Sequence, residues 1–414
     1  MRIVKRVLST YSADNFGVCS ALYELGGLVV MHDASGCNST YNTHDEPRWY
    51  DMDSMVFISG LTEKDAIFGN DEVLIKNLCE TAEKLHPKFV CICGGPLPHI
   101  IGTDFKAVAK AVSRRTGLPA FGIQTNGMDA YTSGAGEALA CLVDLMGDVE
   151  NKVSRTSHAG ANKRVNILGA TPLDFSLNGS VQAIQKLLED NGFSVRSVWA
   201  MGDTLENILA SGDADANLVI SATGFAAAKR MQERFGIPYV IGCPVGLAAT
   251  ERILRELKEV SAEKAEAPAN NSDHGATAAA EAGRKTGEIL LIGEPVMMKS
   301  MAETISGESA RAAKDGKRES YSVRIISPMR GLPREIADGT EEIVLEDALR
   351  EACRRADLVI ADPLYARLLP EEPGKFIKLP HVAYSGRFYE KEIPVLIGDR
   401  FDMWLSEHAL CHLF

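Results

Sequence analysis

The sequence predicts an α/β protein in which three domains of similar size are each built on a parallel sheet. Short apolar runs recur along the chain, and each is followed by a glycine- or proline-bearing turn and then by an amphipathic helical pattern. Such alternation is typical of βα units, whose strands form parallel sheets. The length of 414 residues also agrees with about three domains at ~150 residues each.

The first set of βα units ends at a polar stretch, rich in serine and asparagine, at residues 148–163. Within this first set, the sequence predicts strands at residues 27–31, 88–93 and 120–124 and helices at residues 73–85, 104–116 and 134–146. The polar stretch is typical of a linker between domains. We therefore expect an N-terminal α/β domain over residues 1–150.

Two further sets of units follow the linker. They predict strands at residues 165–169, 194–199, 218–221, 237–241, 289–293, 322–326 and 358–361 and helices at residues 179–191, 225–235 and 247–260. Residues 261–285 have no large apolar side chain, so they cannot bury a core face. We expect a second domain over residues 160–260, a mobile low-complexity segment over 261–285 and a third domain over 286–414.

Composition and charge exclude several classes of protein. Apolar residues are 45% and charged residues 24% of the chain, which is ordinary for a folded globular protein. A net charge of −12 repels nucleic acid and anionic lipid. No apolar run approaches the ~18 residues of a membrane span, and the basic start turns polar too early for a signal peptide. We expect a cytoplasmic protein that binds neither nucleic acid nor membrane.

Three cysteines of the first domain stand next to predicted turns. Cys19 lies near a predicted helix start, where backbone N–H groups would stabilise a thiolate. Cys37 follows Gly36, and Cys93 ends a strand before a Gly-Gly-Pro turn; glycine lets the backbone approach a bulky inorganic group. Thiolates bind soft metals and iron–sulfur clusters. These three residues are therefore candidate cluster ligands.

Other cysteines have a simpler interpretation, because free cysteine is commonly buried as a small apolar residue. Cys79 and Cys141 lie within predicted helices, and we interpret both as core residues. Cys91 and Cys93 share one face of a regular strand, so the choice of the third ligand between them stays open. The glycine turn beside Cys93 favours that residue.

Weaker candidates surround the cysteines. His99, in the segment after Cys93, is a candidate proton donor, and Asp33, close to Cys37, is either a fourth ligand or a capping residue. Residues 63–65, Glu-Lys-Asp, are either a docking surface or solvated charge.

Several segments carry a resemblance to a known family. Gly-Val-Cys at residues 17–19 and His-Asp-Ala-Ser-Gly-Cys at residues 32–37 resemble its first two cluster-cysteine segments, and residues 93–104 resemble the third. Residues 59–70 and 233–250 are similar to later segments in matching order. The family is that of the nitrogenase component 1 type oxidoreductases.

The resemblance implies three Rossmann-like domains and an iron–sulfur cluster, of the 4Fe–4S or 8Fe–7S type, at a subunit interface. Its ligands would be Cys19, Cys37 and Cys93. The resemblance also implies a homodimer, or a heterodimer with a second component 1 subunit, and a separate ATP-hydrolysing iron protein that delivers electrons. The chain has no Gly-x-x-x-x-Gly-Lys-Ser/Thr loop, so we expect ATP hydrolysis to belong to that partner.

Departures from the family bear on function. Where catalytic nitrogenase α subunits have a cofactor-binding cysteine, this chain has Ile220, and the cofactor histidine has only a near match in His381. The catalytic histidine of the first domain falls at or beside Glu137 and Ala138. We therefore do not expect the chain to hold the nitrogenase cofactor or to reduce dinitrogen.

These observations lead to one main hypothesis and two alternatives. The main hypothesis is an oxidoreductase subunit that relays electrons from the iron protein, through the cluster, to a bound substrate. The first alternative is a scaffold that carries or matures a metallocofactor without substrate turnover. The second is an α/β ligand-binding protein whose cysteines are structural and hold no metal.

Overall fold

The predicted fold class, α/β with parallel sheets, is confirmed. The structure is a computed structural model and describes residues 7–147, 162–262, 287–314 and 321–408. Within these ranges the strands form three sheets of four, four and five strands, and all the pairings between named strands are parallel. None of the helices in these ranges is long and apolar enough to cross a lipid bilayer.

The first sheet lies in the N-terminal part of the chain. The elements are α1 (Asp14–Leu22), β1 (Leu28–His32), α2 (Ser35–Thr40), β2 (Val56–Ile58), α3 (Glu63–Phe68), α4 (Asp71–Leu85), β3 (Val90–Gly94), α5 (Pro96–Ile101), α6 (Phe105–Thr116), β4 (Ala120–Gly122) and α7 (Tyr131–Leu145). A π-helical turn, Tyr41–Asp45, follows α2. The strand order is β2-β1-β3-β4, so β1 and β3 are central, and both are buried at every position.

The second sheet has the strand order β6-β5-β7-β8. Its elements are β5 (Lys163–Leu168), α8 (Pro172–Phe175), α9 (Ser180–Asp190), β6 (Phe193–Val198), α10 (Leu205–Leu209), β7 (Ala216–Val219), α11 (Phe225–Phe235), β8 (Tyr239–Ile241) and α12 (Leu247–Ala262). Short 3₁₀ turns lie at Ser211–Asp213 and Ala222–Gly224. The central strands β5 and β7 are buried at most positions, as expected where helices cover a parallel sheet.

The third sheet has the strand order β11-β10-β9-β12-β13. Its elements are β9 (Gly287–Ile292), α13 (Pro295–Lys314), β10 (Tyr321–Ser327), α14 (Arg334–Ala337), β11 (Glu341–Glu342), α15 (Glu346–Arg355), β12 (Leu358–Ala361), β13 (Phe376–Lys378), α16 (Val382–Ser385) and α17 (Arg400–His408). The 3₁₀ turns are Pro363–Leu368, Pro373–Lys375 and Gly386–Glu392.

Each sheet falls within one of the segments that we expected to be a domain, and we propose 1–150, 160–260 and 286–414 as the domain boundaries. Of the predicted low-complexity segment 261–285, the first two residues end α12. Residues 263–285 lie outside the described residues.

Helices α1 and α7 pack with their backbones in contact. A Cβ atom on Gly17 would lie 2.0 Å from the carbonyl oxygen of Tyr131, and one on Gly134 would lie 1.9 Å from the carbonyl oxygen of Asp14. The Asp14 carboxylate also accepts hydrogen bonds from the N–H groups of Asn126 and Gly127, each at 2.8 Å. These contacts fix the start of α1, and all nine residues of that helix are buried.

Gly17→Ala should destabilise the protein, because the added methyl group has no room between the two backbones. Overpacking of this kind costs about 1–3 kcal/mol. Urea unfolding followed by circular dichroism measures the effect. The matched control is Gly36→Ala, a helical glycine with open space around its Cβ position, which should be neutral or slightly stabilising. Equal unfolding midpoints for the two variants would contradict the close contact.

Candidate functional site

Two of the three predicted cluster ligands meet in the core of the first domain. Cys19 lies on α1 and Cys93 on β3, both side chains are 0% exposed, and both belong to one buried core, where Cys93 helps to raise the pKa of the Cys19 thiol. The structure thus brings together two soft donor atoms from separate parts of the chain. Thiol pairs of this kind are suitable ligands for an iron–sulfur cluster.

The environment of Cys19 differs from our expectation. The sequence predicted a position near a helix start, but α1 begins at Asp14, so Cys19 lies more than one turn inside the helix and receives no free N–H groups from its start. Burial, with Cys93, Cys91 and Glu46 nearby, raises the pKa of the Cys19 thiol well above its ordinary value. Burial therefore favours the neutral form of the Cys19 thiol. A bound cation would have to supply the charge that stabilises thiolates.

The choice between Cys91 and Cys93 as third ligand stays a prediction. Both are fully buried in the same core as Cys19, and both help to raise its pKa. The groups nearest to Cys91 include Cys93 and Cys141, and burial raises its pKa well above the ordinary value. Cys93 is nearer to the carboxyl end of its strand, where it pairs in register with Met31.

Cys37 lies on α2, a helix where the sequence suggested only a turn. Its side chain is not among those that the structure describes, so ligation by Cys37 stays a prediction. The next residue, Asn38, is buried and links two cysteine segments. Its amide nitrogen donates to Asp33 Oδ2 at 3.0 Å, and its amide oxygen accepts from Asn15 of α1 at 3.0 Å.

The side chain of Asp33 also lies close to the backbone of the third cysteine segment. A Cβ atom on Gly95, in the turn after Cys93, would lie 1.7 Å from Asp33 Oδ2. The other carboxylate oxygen accepts from the N–H of Ala34 at 2.8 Å. Both oxygens of Asp33 therefore have hydrogen-bond partners. Asp33 does not cap α2, whose N-cap position is Ala34 without a side-chain cap, and its role as fourth ligand stays a prediction.

The thiol pair supplies part of a metal-binding donor set. Within the described ranges, no group of three or more His, Cys, Asp or Glu side chains could hold a metal ion. Cys19 and Cys93 supply two thiols of the chemistry that a cluster requires. Further ligands would have to come from Cys37 or from a partner chain. The thiols of Cys19 and Cys93 are therefore suitable as two of the ligands of an iron–sulfur cluster.

His99, the weak catalytic candidate, lies on α5 and its side chain is exposed. Its carbonyl oxygen accepts a hydrogen bond from the N–H of Gly102 at 3.2 Å. The proton-donor role of His99 stays a prediction.

A buried ion network lies beside Cys19 and joins the first sheet to the second. The Arg48 guanidinium contacts Glu46 at 2.6 Å and Glu24 at 2.9 Å and donates to the carbonyl oxygen of Ala200 at 3.1 Å. Ala200 has a φ of 97°, a strained value for a residue with a side chain. Removing one partner of such a network costs more than the network contributes, because a charge is left buried and unpaired.

A second polar cluster lies where elements of all three sheets meet. Asp174 of α8 accepts hydrogen bonds from Tyr131, at the start of α7, and from Thr171 at 2.9 Å. Glu294, just before α13, accepts from the N–H groups of Ala222 and Met297 at 2.9 and 2.8 Å. Burial raises the pKa values of both carboxyl groups. We call this cluster the interdomain junction.

The buried side chain of His381 also lies in the interdomain junction. Its Nε2 is 3.6 Å from Asp174 Oδ1, and neither ring nitrogen has a hydrogen-bond partner within the described part of the chain. Burial lowers the pKa of His381 to about 3, so the ring is neutral. His381, Asp174 and Tyr384 line a cavity of about 40 Å³, enough for a few water molecules.

The interdomain junction does not fit the cofactor of catalytic nitrogenase subunits. Ile220, at the place of the cofactor cysteine, has no donor atom and is fully buried in apolar packing. The cavity beside His381 is too small for a multi-metal cluster. That this chain does not hold the nitrogenase cofactor stays a prediction.

The interdomain junction should make stability depend on pH. Burial, and then the charge of Asp174, raises the pKa of Glu294 from 4.5 to about 8. The folded protein therefore binds this proton more tightly than the unfolded chain, and its stability should fall as the pH rises between these two values. Thermal unfolding midpoints across this range should fall less for Glu294→Gln than for the wild type. An equal fall in the unfolding midpoints of the two proteins would contradict the assignment of this pH dependence to Glu294.

The fold and the sequence are both similar to those of known proteins. Residues 16–305 match the family described as Nitrogenase component 1 type Oxidoreductase. Among the solved structures, the chain is similar to one titled "Nitrogenase Cp1 at pH 6.5", with a TM-score of 0.66 and 15% identity over 100% of this chain and 94% of that chain. The likeness shows a shared fold.

The curated relatives include two nitrogenase iron-molybdenum cofactor biosynthesis proteins, NifE. Identity is 28% over 207 residues for Clostridium pasteurianum and 29% over 214 residues for Sinorhizobium fredii. The nitrogenase molybdenum-iron protein alpha chain of Clostridium pasteurianum is 24% identical over 206 residues. These alignments cover 49%, 50% and 49% of this chain but 43%, 41% and 36% of the relatives, so the chain spans less than half of their length. The chain belongs to the nitrogenase component 1 type oxidoreductase family.

Proposed function

We propose that the chain is a scaffold subunit that carries or matures an iron–sulfur metallocofactor without substrate turnover. The observation that carries this proposal is the burial of the Cys19 and Cys93 thiols together in one core of the first domain. The names of the NifE relatives, which are cofactor biosynthesis proteins, support the same function.

The proposed ligands are Cys19, Cys93 and Cys37, and the proposed group is a 4Fe–4S or 8Fe–7S cluster at a subunit interface. When bound, such a cluster supplies one-electron redox chemistry. The chain's own residues hold it and keep water away. Phe16 and Tyr41, whose rings lie 4.9 Å apart, belong to the same buried core as the two thiols. Tyr41 in turn donates to Glu46 at 2.7 Å.

Electron relay to a bound substrate, the main sequence-based hypothesis, has less support. It requires a substrate site between the domains, and the cavity at the interdomain junction measures about 40 Å³. Ile220, which the sequence analysis places where a cofactor cysteine would be needed, is fully buried in an apolar core. The family is one of oxidoreductases, but these features favour the scaffold function over catalysis.

The proposed partners are a second component 1 subunit, in a homodimer or heterodimer, and a separate ATP-hydrolysing iron protein. An exposed aromatic face supports the first of these. Tyr50 and Phe388 are 68% and 82% exposed, and Arg387 bridges the two segments by stacking on Tyr50 and donating to the carbonyl oxygen of His44. Exposed aromatic and arginine side chains are typical of protein interfaces. The face is continuous with the segment that follows Cys37.

Anaerobically purified protein should contain iron, and variants of the proposed ligands should lose most of it. Cys19→Ser, Cys37→Ser and Cys93→Ser each remove one soft ligand. Cys91→Ser should keep its iron, which also tests the choice between Cys91 and Cys93. Iron analysis and visible absorbance measure the result. Cys141→Ala is the control for general loss of packing, and equal iron in all variants would contradict the ligand assignment.

The scaffold and relay functions predict different fates for the bound group. Iron-loaded protein should transfer its cluster to an apo-ferredoxin when the two are mixed anaerobically, which the rise of ferredoxin absorbance follows. If an ATP-hydrolysing iron protein instead reduces the cluster in repeated cycles with consumption of a substrate, and no transfer occurs, the relay hypothesis replaces the scaffold.

A further inference from the structure

A large cavity lies in the first domain, at the carboxyl end of its sheet. Its volume is about 480 Å³, within the ~300–1,000 Å³ range of small-molecule sites. It lies beside His32, the last residue of β1, between α3, α4 and the end of α5. We call it the switch-point pocket.

The sheet topology places this pocket where ligands of α/β proteins usually bind. In the order β2-β1-β3-β4, the chain passes from β1 to β2 on one side and then crosses to β3 on the other. His32 pairs in register with Gly94 of β3. The crevice outside such a reversal point is the common ligand position in open parallel sheets.

His32 offers the pocket a hydrogen-bond donor. The side chain is 6% exposed, and its Nδ1 lies 2.8 Å from Ser59 Oγ. Ser59 Oγ already accepts from the N–H of Asp33 at 3.2 Å, and the alternative acceptor for its own proton, the Asp33 carbonyl oxygen, is 3.5 Å away. The shorter contact favours donation by Ser59 to Nδ1 over donation to the Asp33 carbonyl. This assignment, made from the network, places the proton of His32 on Nε2. Within the described residues this nitrogen has no hydrogen-bond partner.

The charges around the pocket select the ligand. Asp65 and Asp71 line it, and among the residues that the structure describes no lysine or arginine does so. Hydrogen bonds from Thr62 and Asn70 lower the pKa of Asp65, so its carboxylate is charged. The start of α4 would attract an anion, but Asp71 and Glu72 in its first turn offset that attraction.

We propose that the switch-point pocket binds a small aliphatic amine that also carries a hydroxyl or carbonyl oxygen. The ammonium group lies against Asp71, and the oxygen accepts from His32 Nε2. The aliphatic part contacts the apolar side of the pocket, formed by Leu61, Ile67 and Ile101. This site does not depend on the cluster, and its failure would leave the proposed scaffold function untouched.

Titration calorimetry with matched small molecules tests the proposal on the full chain. Aminopentanol carries both groups, pentylamine lacks the oxygen, pentanediol lacks the charge, and hydroxypentanoate carries the opposite charge. Aminopentanol should bind most tightly and hydroxypentanoate not at all. A preference for hydroxypentanoate, or no binding of aminopentanol, would overturn the proposal.

Two variants locate the binding. Asp71→Asn should weaken aminopentanol binding about twofold to fivefold, as expected for one ion pair at an exposed position. Asp347→Asn removes a matched carboxylate from the first turn of α15 and should leave the affinity unchanged. His32→Phe should reduce the advantage of aminopentanol over pentylamine. Equal affinities for the two Asp→Asn variants would show binding to surface charge in general and overturn the assignment.

Discussion

The candidate metal centre depends on the close contact between the backbones of α1 and α7. Gly17 and Gly134 are the residues that allow it, since a methyl group at either position would overlap a carbonyl of the other helix. Helix α1 has no exposed face and no side-chain cap at its start, so packing rather than intrinsic propensity holds it in place. That placement puts Cys19 in one buried core with Cys93. The position of the Cys19 thiol in this core therefore depends on glycine at both helix contacts.

Buried polar groups then fix the segments around the thiols. Asn15, Asn38 and Asp33 link the first two cysteine segments through hydrogen bonds, and Arg48 joins the first sheet to the second. Satisfied networks of this kind specify one arrangement, because every alternative leaves a polar group unpaired. At the interdomain junction, the carboxyl groups of Asp174 and Glu294 are hydrogen-bonded, and the cavity beside them measures about 40 Å³. The two buried thiols of the first domain and the small size of this cavity both favour the proposed scaffold function.

Sequence patterns predicted the fold class and most long elements of the first two sheets, because buried strands and amphipathic helices repeat with regular periods. For the third sheet they predicted strands only and left out α13 and α15, which are 20 and 10 residues long. They missed β2, α3 and α5, which are three to six residues long and too short to show a period. The position of Cys19 was wrong because the start of α1 depends on its contact with α7. The acid cluster was not predictable, since Asp174 and Glu294 are far apart in the chain and meet only through packing of the domains.

The central claim is that Cys19 and Cys93 hold iron. Crystals grown anaerobically from iron-loaded protein, with diffraction measured on both sides of the iron absorption edge, test it most directly. The account predicts an anomalous iron peak within bonding distance of both sulfur atoms. Iron at the interdomain junction, or anaerobically prepared protein that contains no iron, would contradict it.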